Sequence, residues 1–104
     1  MRNKFIAGEA IRIDGIFRDF PKPDGSQGDL VDPVIIKFIT YDSYWKKMEE
    51  VIVGPSGRVS LGHYRVFYVF DKKGVYYYEW LGECADSLPA VERKKIVISQ
   101  YRNE

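Results

Sequence analysis

The chain has a single histidine, His63, and a single cysteine, Cys84. One of each cannot close a zinc site of the usual four ligands. Ser-His-Asp chemistry needs a serine set in a nucleophile motif, and no such motif surrounds any serine here. Cys84 reads as a small loop residue rather than a nucleophile. Asp19, Asp24, Asp29 and Asp32 offer the hard oxygens that calcium takes. Their spacing matches no calcium loop, and aspartate serves turns through its own local hydrogen bonds. These side chains predict no catalytic group, no metal and no cofactor.

Aromatic rings are the other chemistry on offer. Tyr76, Tyr78 and Trp80 fall two apart within Gly74–Glu83, so in a strand they share one face. Val75, Tyr77, Glu79 and Leu81 share the other. A row of rings can stack on sugars, but three on one face of a short strand read first as core. That leaves Tyr77 as the ring for a surface contact. The cationic runs Arg93-Lys94-Lys95, Lys46-Lys47 and Lys72-Lys73 each have acidic neighbours (Glu92, Glu49-Glu50 and Asp71). They read as solvated strand ends.

These residues must be positioned by strands, because what recurs along the chain is a run of period two and then a turn. Ile11, Ile13, Gly15 and Phe17 alternate with Arg12, Asp14, Ile16 and Arg18. Gly15 in the middle predicts a bulge or a ring packed close against it. Pro21–Asp29 is a loop, with a tight turn at Asp24-Gly25. Val34–Tyr41 carries apolar residues on both faces, as a central strand does. Asp42–Trp45 reads as a turn, and Lys46–Val53 as an edge strand guarded by charge. Gly57–Gly62 is a short strand or an extended loop. His63–Phe70 alternates again and is expected to form a hairpin with the Gly74–Glu83 strand through Asp71–Gly74. Cys84–Val91 is a loop, and Lys94–Ser99 the last strand. No window shows a sustained helical period.

Six or seven strands, spaced by turns, predict an all-β antiparallel sandwich. A length of 104 residues fits one domain. Sixteen Lys and Arg against fifteen Asp and Glu leave a net charge of +1, which argues against a general electrostatic hold on nucleic acid. A lone cysteine allows no intramolecular disulfide. No apolar run is long enough to span a bilayer, and the basic N-terminus lacks the apolar core of a signal peptide.

The order Gly8–Asp19, a Gly-rich loop, Val31-Asp-Pro-Val-Ile-Ile-Lys-Phe38, Gly62–Val69, Gly74–Gly82 and Ala90–Ile98 resembles the small immunoglobulin-like β-sandwich modules of bacteria and of tailed-bacteriophage virions. The chain departs from other immunoglobulin-like domains in having no cysteine pair and a late core tryptophan, so antibody-type recognition loops are not implied. The resemblance implies a non-enzymatic virion structural protein, such as a head-decoration, neck or tail-attached module. It would assemble in the host cytoplasm, contact virion proteins or copies of itself, and need no nucleic acid or membrane. The expected contact residues are the apolar ones facing away from the rings: Ile35, Ile39, Tyr41, Phe67 and Tyr77. The expected core is Phe17, Ile36, Phe38, Tyr76, Tyr78 and Trp80. The alternative expectation is a carbohydrate-binding or adhesion module using surface aromatics.

Overall fold

The structure, a computed structural model, describes residues 5–83 and 90–100. Their regular structure is eight strands and one turn of 3-10 helix at Pro55–Gly57. The strands are β1 (Phe5–Ile6), β2 (Ala10–Ile16), β3 (Ile35–Tyr41), β4 (Lys47–Ile52), β5 (Arg58–Ser60), β6 (His63–Val69), β7 (Gly74–Glu83) and β8 (Ala90–Ser99). They form a five-stranded sheet in the order β1-β8-β7-β3-β4 and a three-stranded sheet in the order β2-β6-β5. All pairings are antiparallel except β1 with β8.

Two sheets form because the long strands each have one apolar face that must be covered. Ile11, Ile13 and Phe17 from the β2 side and Tyr64 and Phe70 from the β6 side are buried against Ile36, Phe38, Trp80, Ile96 and Ile98. Trp80 is fully buried and Phe38 nearly so. Phe17 meets Trp80 edge-on at 6.2 Å between ring centres, and Phe38 tilts against it at 5.1 Å. Tyr76 and Tyr78 lie on the same inner face but are only partly buried at its margin. The glycine in the first long strand has the close-packing role. A Cβ built on Gly15 would sit 2.5 Å from the indole Cδ2 of Trp80. The largest ring of one sheet therefore rests directly on the backbone of the other.

The structure corrects three readings of the sequence. Among the described residues the strands number eight, not six or seven, because the short β1 and β5 are both formed. The last strand begins at Ala90 rather than Lys94, so Ala90 and Val91 belong to it; the rest of the proposed loop, 84–89 with Cys84, lies outside the described residues. The third correction is topological. β6 and β7 do not form a hairpin: β6 pairs with β2 and β5, while β7 pairs with β3 and β8. Their apolar faces explain this. Tyr64 and Phe70 must oppose Trp80 across the core, and a hairpin would lay all of these side by side in one sheet. The consecutive strands that do pair antiparallel are β3–β4, β5–β6 and β7–β8; β3–β4 pairs from Lys37↔Ile52 to Tyr41↔Lys47 with a register shift at Thr40/Tyr41.

Candidate functional site

Two surfaces stand out, one on each sheet. The first is on the outer face of the five-stranded sheet. Register places Lys47, Tyr41, Tyr77 and Lys95 in one row across β4, β3, β7 and β8. The next row is Glu50, Ile39, Glu79 and Arg93. Tyr41 donates from its hydroxyl to Glu79 at 2.9 Å, and Arg93 closes on the other oxygen of the same carboxylate. Partial burial and the Glu79 charge beside it push the Tyr41 hydroxyl above its ordinary pKa.

Trp45 lies over this network. Its ring stacks on Tyr77 with centres 4.1 Å apart and planes 17° from parallel, and leans against Tyr41 at 5.3 Å. The β3–β4 turn puts it there. Asp42 accepts hydrogen bonds at one carboxylate oxygen from the backbone N–H groups of Tyr44 and Lys46, and its carbonyl accepts from Trp45. Trp45 then takes a left-handed φ of 62°, the one positive φ outside glycine among the described residues. A bulky side chain is rarely found there, and the conformation costs about 1–2 kcal/mol. The sequence reading treats Trp45 only as a turn residue. The available signal was a tryptophan at the turn position where glycine or asparagine would be relaxed.

The second surface is the open edge of the three-stranded sheet. The Phe17 N–H donates to the Gly62 carbonyl at 2.8 Å. With the β2–β6 register, alternation then assigns the ladder bonds to Tyr64, Val66 and Tyr68 and turns the N–H and C=O groups of Phe67 and Val69 away from β2. β5 pairs with β6 only at His63 and Tyr64. Beyond that point β6 has no strand partner on this side among the described residues. Beneath it lies a groove of about 600 Å³ between the sheets, where Phe38, Val53, Val66 and Phe67 share the lining with Arg58 and Arg65. The β4 edge across the groove carries Lys47, Glu49 and Glu50, and the β2 edge carries Arg12 and Asp14. Such charges discourage strand pairing. The β6 edge offers Phe67 and Val69, which are 67% and 43% exposed.

The contact residues expected from the sequence divide between these surfaces. Ile35, Ile39, Tyr41 and Tyr77 share the outer face of the five-stranded sheet, and Phe67 lies at the β6 edge. Ile35 is exposed, but Ile39 is only 6% exposed, so the expectation that it offers free surface is corrected. Tyr41 and Tyr77 are half-buried and in contact with Trp45.

The aspartates and the histidine are engaged elsewhere. Asp32 accepts from the Gly62 N–H at 2.8 Å, the Tyr64 hydroxyl at 3.1 Å and the Arg58 guanidinium, so it ties the β5–β6 turn to the loop that leads into β3. The Gly62 bond first, then Arg58, holds its carboxyl below the usual range. Asp14 is gripped by both arms of Arg65 and lies 3.0 Å from His63 Nε2, and the Arg65 contact foremost lowers its pKa. Asp19 and Asp24 cap neighbouring backbone N–H groups, and Asp29 pairs with Lys22. Among the described residues no three His, Cys, Asp or Glu side chains are grouped to hold a metal. Comparison with protein-family models, curated proteins and solved structures finds no match for the chain.

Proposed function

We propose that the protein is a non-enzymatic interaction module of the immunoglobulin-like type that serves in a viral particle, as a head-decoration, neck or tail-attached component. It would dock by accepting an extended segment of a partner along β6. The observation that carries this reading is the β6 edge. Five strands oppose three, and among the described residues the β6 edge has backbone groups with no strand partner, flanked by Phe67 and Val69 above a groove of mixed apolar and basic lining. Strand addition supplies main-chain hydrogen bonds for affinity and pockets for alternate side chains for specificity.

The immunoglobulin-like assignment draws on strand order. In such sandwiches the second, fifth and fourth strands of the constant-type order form part of one sheet, and the third, sixth and seventh the other. Numbering β2 as the second strand and treating β4 as the extra strand of variable-type domains gives β2-β6-β5 against β8-β7-β3-β4. The place in a virion is what the sequence resemblance implies.

The test is direct. Particles purified from the source should contain the protein in a fixed copy number, detected with an antibody against it. Phe67→Lys should leave the purified protein folded and remove it from the particles. Particles that never contain the protein overturn the virion assignment. Particles that retain the Phe67→Lys variant at the normal copy number overturn the β6 docking edge.

A further inference from the structure

We propose that the outer face of the five-stranded sheet binds an acidic carbohydrate, with a pyranose ring stacked on the free face of Trp45 and its carboxylate held by neighbouring lysines. This goes beyond the strand-docking reading and uses the opposite sheet.

Three observations converge on that face. Trp45 is fixed in a strained backbone conformation by Asp42, and strain that a fold maintains at a bulky surface residue points to a use for its position. One face of the indole is taken by Tyr77, so the ring is held flat, while the residue stays 47% exposed. Tyr44, at 89% exposed, stands beside it in the same turn. The electron-rich face of an indole attracts the electropositive C–H groups of a sugar ring, and a ring already immobilised loses little freedom on binding.

Charge selects the kind of sugar. Arg93 is neutralised by Glu79, whereas the single carboxylate of Glu50 faces both Lys37 and Lys47. Lys95, across from Tyr77 in register, has no ion pair among the described residues, so with Glu50 shared between two lysines this face carries a surplus of positive charge. Surplus cations on the face that carries a stacking platform match a ring carrying a carboxylate. A polyphosphate chain is the poorer match, because the molecule as a whole is close to neutral.

The experiment titrates oligomannuronate, oligogalacturonate and sialyllactose into the full chain, with cellohexaose as the neutral probe. Trp80 is fully buried, so a change in tryptophan emission on binding reports Trp45. At least one acidic probe should give saturable quenching, and cellohexaose should bind about tenfold more weakly or worse. By calorimetry, Trp45→Gly should lose affinity at least about tenfold. Glycine accepts the left-handed φ, so this variant should keep its fold, checked by circular dichroism. Lys95→Ala should weaken the acidic probe while leaving the neutral one unchanged. The proposal is overturned if no acidic probe saturates by about 10 mM. It is equally overturned if folded Trp45→Gly binds as the wild type does, or if cellohexaose binds as tightly as the acids.

Discussion

Gly15 and Trp45 are each placed by a ring that lies far away in sequence. Gly15 sits under Trp80 with no room for a methyl group. Gly15→Ala should therefore destabilise the protein by about 1–3 kcal/mol through overpacking, read as a lower urea midpoint. Gly54→Ala is the matched control: a Cβ there meets nothing within 4 Å, so its change should stay within about 0.5 kcal/mol. Trp45 is the reverse case, a large residue where a small one would be relaxed. Trp45→Gly gains about 1–2 kcal/mol by removing the left-handed strain, but it loses about 0.5–1.5 kcal/mol of stacking on Tyr77 and about 1–2 kcal/mol for the half of the indole that is covered. The losses exceed the gain, so the variant should stay folded with a melting temperature several degrees below wild type. Glu79 belongs to this scale too. It is buried between Tyr41 and Arg93, and Glu79→Ala should cost about 1–3 kcal/mol by leaving the Tyr41 hydroxyl unmatched.

The elements are held in place by carboxylates as well as by rings. Asp32 joins the β5–β6 turn to the chain before β3, and Asp14 joins β2 to β6. Both carboxyls lie below their ordinary value of 3.8 in the folded state. A group depressed by folding contributes stability that is complete above its unfolded pKa and is lost as pH falls through the folded one. Stability should therefore be flat above about pH 5 and fall on acidification below about pH 4. Asp32→Asn should be less stable than wild type at pH 7, and the gap should narrow as the pH drops through that range, followed by chemical denaturation.

The sequence makes this scale legible where the deciding force is local. Alternation alone assigns Ile11, Ile13, Gly15 and Phe17 to one face of the first long strand, and the tight contact at Gly15 follows from a glycine inside an apolar run. Partner choice is a different matter. Nothing in Asp71–Gly74 says that β6 and β7 belong to separate sheets, since that is decided by which apolar faces must oppose each other across the core. The role of Trp45 is hidden for the same reason: local preference argues against its conformation, and Tyr77, in another strand, overrides it.

For the whole molecule, the unequal sheets leave one apolar edge and one aromatic face, and the two can be tested separately. Phe67→Lys changes a side chain that is 67% exposed, so it should leave thermal stability within about 0.5 kcal/mol while abolishing docking at β6. It should not alter the tryptophan signal from the other sheet. The contact between Gly15 and Trp80 has a further consequence at this scale. In a sandwich braced by a cystine, the distance between the sheets depends on the oxidation state of the surroundings. Here a ring seated on bare backbone sets that distance, and a chain with one cysteine has no internal cystine to lose. The melting temperature should be the same with and without dithiothreitol, so the spacing of the sheets is indifferent to the redox potential of whatever compartment or particle the protein enters.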